Sequence, residues 1–119
     1  MDKTRALVWM LRAPSASGGK IYVTLVVDSY VLFGWGREDQ GVPGLQFKYL
    51  HFSDPAAAQQ GALLKTEAKE KRGYEMAIPP RVRSFGIHRE EVITRLKLGS
   101  AEVRQDLVSD AIQVGVRIA

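Results

Sequence analysis

The stretch Lys20-Ile21-Tyr22-Val23-Thr24-Leu25-Val26-Val27-Asp28-Ser29-Tyr30-Val31-Leu32-Phe33-Gly34-Trp35-Gly36-Arg37 decides the fold. Lys20–Val27 is rich in β-branched and aromatic residues, which fit a pleated, buried surface and predict a strand. Asp28-Ser29 supplies a two-residue turn, and Tyr30–Trp35 returns as a second strand. The expectation is an antiparallel hairpin.

Upstream, Leu7, Trp9 and Leu11 alternate with Val8 and Met10, so Thr4–Arg12 reads as a largely buried strand. Ala13–Gly19 is a loop by composition. Downstream, Glu38–Gly44 is polar and glycine-containing, hence another loop, and Leu45–Phe52 returns as a strand with Phe47, Tyr49 and His51 on one face. Asp54 or Ser53 can cap a helix that Pro55 opens, because the missing proline N–H needs no partner in a first turn. Ala56 to Lys71 contains helix formers apart from Gly61, and Ala57, Gly61, Leu64 and Ala68 are the expected buried stripe. Gly73 is expected to stop the helix by accepting a left-handed backbone. Tyr74–Ile78 reads as a short final strand, ended by Pro79-Pro80.

Beyond Arg81 the pattern turns helical. Ile87–Leu98 forms one predicted helix, with Glu91 and Arg95 four apart on an exposed face. Ser100 can cap a second, running to Val114. There Glu102, Gln105, Asp106, Ser109, Asp110 and Gln113 face away from Val103, Leu107, Ala111 and Val114. The predicted class is α+β: a small antiparallel sheet with one packed helix over residues 1–80, followed by a helical extension over 81–119.

The chain has 119 residues, enough to bury a core without staples. No apolar run approaches the roughly 20 residues that span a bilayer, so no membrane contact is expected. Arg12 and Pro14 follow the apolar Ala6–Leu11 segment too soon for a secretory signal. The absence of cysteine excludes disulfides, thiolate zinc sites and cysteine nucleophiles, and fits a reducing cytoplasm. Two histidines, His51 and His88, are too few for a histidine-rich metal cage. Seventeen basic against thirteen acidic residues give a net charge of +4, which permits a polyanionic partner and equally fits an ordinary basic surface. Gly18-Gly19 lacks the lysine-serine/threonine ending of a phosphate loop, and neither histidine has the surroundings of a serine triad. No catalytic residue, metal or cofactor is therefore expected.

Gly34-Trp35-Gly36-Arg37 carries the most chemistry. Flanking glycines leave an indole free to face outward as a flat plate. Arg37, two residues on, falls on the same face of an extended strand. Such a pair can stack on a sugar or base while contacting phosphate. The plainer alternative is a core tryptophan beside a surface charge. A second basic feature lies on the helix: Lys65, Lys69 and Arg72 at i, i+4 and i+7 form a stripe that can track phosphates, or else a solvated face interrupted by Glu67 and Glu70. Arg81 and Arg83 can extend that patch or belong to an exposed connector.

In order, the strand opened by Lys20-Ile21-Tyr22, the tripeptide Trp35-Gly36-Arg37, Gln40-Gly41, and a helix ending in Lys71-Arg72-Gly73-Tyr74 resemble the WGR domain. This module occurs in poly(ADP-ribose) polymerases and assorted bacterial proteins, and the resemblance spans about Leu7 to Ala77. It implies a small antiparallel sheet crossed by one helix, and DNA as partner, at ends or nicks. It implies Trp35 as stacking plate, Arg37 as polar contact and Lys71 or Arg72 as phosphate partner, with Tyr74 in the core. The chain departs from the family where Glu38-Asp39 replace an apolar residue and glycine, and where Gly34 replaces a basic or aromatic residue. The candidate DNA-binding set is thus Trp35, Arg37, Lys65, Lys69, Lys71 and Arg72. Two alternatives stand beside it. One is an interaction adaptor or regulator that docks a protein partner, or a second copy, through the C-terminal helices. The other is a helix-turn-helix regulator over Ile87–Val114, opposed by the acidic face of its second helix.

Overall fold

The computed structural model describes residues 4–14 and 18–117, with side chains described through residue 112. The hairpin forms: β2 (Lys20–Val27) pairs antiparallel with β3 (Tyr30–Arg37) from Val27↔Tyr30 out to Lys20↔Arg37. Asp28 takes the left-handed backbone of the turn, at φ 59°, a conformation its short polar side chain tolerates. β1 (Thr4–Ala13) pairs with β2, and β4 (Gln46–His51) pairs with β3. The last strand, β5 (Glu75–Phe85), lies against β1, giving an antiparallel sheet of order β4-β3-β2-β1-β5.

β5 corrects one expectation. The prolines do not end it; the strand runs on through them to Phe85. It can do so because β5 is an edge, where proline's missing N–H faces away from the ladder. The register also jumps there, from Met10↔Ile78 to Val8↔Arg81, so Pro79 and Pro80 together oppose Trp9 in a bulge. The boundary expected after residue 80 therefore falls inside a strand. Arg81 and Arg83 stand opposite Val8 and Ala6, and cross-strand partners share a face.

Helix α1 (Pro55–Glu70) starts as expected: Asp54 accepts a hydrogen bond from the Ala57 amide at 2.7 Å, and Pro55 occupies the first turn. Gly73, just past its end, has φ 100°. The buried stripe, however, is Ala58, Ala62 and Thr66, whereas Leu64 is 58% exposed. The helix is rotated from the expected phase because Thr66 must reach the sheet. Trp9, completely buried, donates its indole N–H to Thr66 Oγ1 at 2.7 Å, and that hydroxyl donates in turn to the Ala62 carbonyl at 2.9 Å. Gly61 serves close approach in another direction, since a Cβ there would come within 2.5 Å of the Phe52 ring.

The opposite face of the sheet is covered by α2 (Arg89–Leu98) and α3 (Ala101–Arg117). Ser100 accepts from the Val103 amide at 3.3 Å, and Arg95 donates to Glu91 at 3.1 Å, both as the sequence spacing predicts. Leu107 and Ala111 of α3, each 1% exposed, pack with Val92 and Leu96 of α2 against Ala6, Val8, Val23, Leu25 and Leu32. Gln113 and Val114 lie outside the described side chains. The sheet is thus a two-sided core. Trp9, Leu11, Tyr22, Val26, Val31 and Phe33 face α1, and the alternate set faces α2 and α3. Arg81 and Arg83 belong to the latter side, where Arg81 donates to the Ile112 carbonyl at 3.3 Å. They do not extend a basic patch on α1.

Replacing Thr66 by Val keeps the volume and leaves the Trp9 N–H buried without an acceptor. The expected cost is about 1–3 kcal/mol, seen as a lower denaturation midpoint at unchanged m-value. Thr66→Ser restores the acceptor and should recover most of the loss. Equal stability of the Val variant and the parent would show that the bond does not anchor the helix.

Candidate functional site

The register of the hairpin sets the site. Tyr22 stands opposite Trp35, and Phe33 opposite Lys48 on β4. Directly opposed residues share a face, so Tyr22, Phe33, Trp35, Lys48 and, one alternation outward, Lys20 and Arg37 all look towards α1. The helix lies over β2 and β3 and leaves an open groove of ≈ 330 Å³ between itself and β4. Its lining is Tyr22, Phe33, Trp35, Lys48, Leu50, Gly61, Lys65 and Lys69. Three ammonium groups and an aromatic floor meet there, and among the described residues no carboxylate lines it.

The aromatic floor is buttressed. Trp35 is half-buried and stacks on Tyr22 at 6.5 Å between ring centroids and 20° between planes. Tyr22 also meets Phe33 at 5.7 Å and Tyr74 edge-on at 6.5 Å. Burial, with Tyr74 second, pushes the Tyr22 hydroxyl up to about 12. Lys69 closes one end, its Nζ lying 4.9 Å from the Tyr22 ring centroid and 5.6 Å from that of Tyr74, within cation–π reach. Burial lowers the Lys69 ammonium below its ordinary value, and the neighbouring charges of Lys65, Arg72 and Lys20 push it the same way.

Of the expected binding residues, the structure brings Trp35, Lys65 and Lys69 together in the groove. Arg72 is exposed beyond the helix end, near enough to act on Lys69. Lys71 is exposed at the C-cap, and at 100° per residue it lies about 120° around the helix from Lys65. It does not join the groove. Arg37 is exposed and donates to Asp39 at 2.8 Å, so its charge is partly compensated. Glu38 accepts from Arg12 at 2.7 Å, and Arg12 stands opposite Ile21 on the α2/α3 side. One of the two carboxylates is thereby drawn away from the groove.

The glycines flanking Trp35 do not free the indole. A Cβ on Gly36 would approach the Gly44 carbonyl to 2.9 Å, and one on Gly34 would press on Phe47 at 3.0 Å. They let the 42–44 turn and β4 close against the other side of β3. Sequence reasoning missed Lys48, Tyr22 and Lys20 as members of the site. Their signal was the hairpin register itself, which pairs Tyr22 with Trp35 and Lys20 with Arg37.

Among the described residues no cluster of three or more potential ligands could hold a metal ion, and no helix is long and apolar enough to cross a membrane. Comparison with protein-family models, with curated proteins and with solved structures finds no match.

The folded Lys69 value lies below the unfolded one, so the fold binds fewer protons than the open chain between the two. Its electrostatic penalty is fully present below the depressed value and is relieved as pH rises towards 10.5. Lys65→Gln removes the largest like-charge contribution and should move the Lys69 midpoint upward in an NMR titration of its Cε. An unmoved midpoint would show that the two ammonium groups do not share a field.

Proposed function

We propose that this chain is a non-catalytic DNA-binding module of cytoplasmic setting, and that it holds DNA in the groove between α1 and β4. The observation that carries this reading is the meeting of Lys48, Lys65 and Lys69 with the Trp35–Tyr22 stack in one open groove that no carboxylate lines among the described residues. Ammonium groups neutralise phosphates and release counterions, while aromatic faces take up sugar or base. The Lys69 ammonium, lowered first by burial and then by Lys65, Arg72 and Lys20, supports it further, for the like-charge part of that penalty is relieved by an anionic ligand. The order of motifs resembling the WGR domain points to the same partner. Strand ends and nicks are the forms that resemblance favours. The adaptor reading draws no comparable support, because the apolar face of α3 is spent on the chain's own sheet.

Titration with duplex, nicked and single-stranded oligonucleotides over a range of salt tests the reading. Affinity should fall steeply with added salt, and Lys65→Ala with Lys69→Ala should flatten the log–log slope by about 0.7–0.9 per lysine. Lys71→Ala, outside the groove, should change it less. Absence of binding at low salt would overturn the proposal.

A further inference from the structure

Within that reading, we infer that the groove receives an unpaired base of a nucleic-acid strand, laid on Trp35, with flanking phosphates on Lys48 at one bank and Lys65 and Lys69 at the other. Single-stranded segments are then the preferred ligand over intact duplex.

The shape of the site carries the inference. At ≈ 330 Å³ the groove has the room of a small-ligand pocket, at the lower end of the usual range of about 300–1,000 Å³. Trp35 is half-buried, and it is reached from within the groove, between the α1 and β4 walls. In duplex DNA each base face is already covered by its neighbours, so a duplex can lay phosphates across the lysines without bringing a ring face to the indole. An unpaired nucleotide uses both parts of the site. The plate is also preorganised: Tyr22 backs the indole at 6.5 Å and is held by Phe33, Tyr74 and the Lys69 ammonium. Little side-chain freedom is left to lose on stacking. Gly61 places no side chain in the groove, and Leu50 offers an apolar wall for the base edge. Nothing in this lining forms a base-specific hydrogen-bonding set, which fits stacking that is tolerant of sequence.

The test is a set of anisotropy titrations of the full chain at low salt. The probes are a short oligo(dT), the matching oligo(rU), a duplex of equal charge and polyglutamate. Oligo(dT) should bind about tenfold or more tighter than the duplex, and quench tryptophan emission where the duplex does not. Trp35→Leu, which keeps apolar cover over the cluster, should abolish the advantage while duplex binding persists. Should that variant fail to fold, the emission change of the parent chain decides. Oligo(rU) matching oligo(dT) would assign the site to unpaired strands of either sugar; a marked preference for one would narrow it to that sugar. Equal oligo(dT) and duplex affinities, with emission unchanged, would overturn the inference and leave the DNA-binding reading standing on the lysines. Tighter binding of polyglutamate than of any oligonucleotide, or no oligonucleotide binding, would remove both.

Discussion

One buried hydrogen bond sets where the helix lies on the sheet. An indole N–H has no business in an apolar core without an acceptor, and Trp9, sealed on the interior strand β1, finds its acceptor on α1 in Thr66. The threonine's own proton returns to the Ala62 carbonyl, so donor and acceptor are both satisfied. This bond fixes the rotation and the axial position of the helix together. Lys65 precedes Thr66 and Lys69 follows three residues later, so both ammonium groups are delivered to the groove by the same constraint. Ala58 and Ala62 matter because they are small enough to let the helix come down to that distance. The charge on the groove wall is thus a consequence of a packing contact deep in the core.

That dependence explains what could and could not be read from the amino-acid order. The hairpin was legible because turn chemistry and β-branched runs agree locally, and the caps at Asp54 and Ser100 were legible because each needs only neighbours three residues away. The phase of α1 was not. Ala56, Ala57 and Ala58 in succession give no periodicity, and Leu64 is the residue any apolar template would choose to bury. The decisive polar pairing joins positions 57 residues apart. Likewise, prolines read as terminators are correct for a central strand and wrong at an edge, and edge status depends on the whole sheet. Lys48 was hidden for the same reason, for only the register against Phe33 places it beside Trp35.

A further signal was present but unused. Ile21 to Val27 is apolar or threonine at every position rather than at alternate ones, and all seven residues are buried. A strand of that kind needs cover on both faces. One helix cannot supply it, so the C-terminal helices were required as the second layer. Their apolar face, which in isolation reads as a docking surface, is the lid of the other half-core. The connection is reinforced at the turn, where Arg89 at the start of α2 donates to Asp28.

The tripeptide itself divides in the fold. Gly36 is needed for the close passage of the 42–44 turn behind β3, Trp35 forms the groove floor, and Arg37 is engaged with Asp39. An exposed ion pair of that kind is weak, worth about 0–1 kcal/mol. A phosphate arriving next to Arg37 would meet a nearby carboxylate as well as a guanidinium. Among the described residues the lysines of the groove face no such competitor in its lining, and the Lys69 ammonium is held below its ordinary value first by burial and then by the charges of Lys65, Arg72 and Lys20. An anion beside Lys69 would offset the like-charge part of that penalty, whereas neutralising Arg37 must first displace Asp39. Attraction for an anion should therefore concentrate on the Lys48, Lys65 and Lys69 side of Trp35, and the motif's arginine acts at its margin.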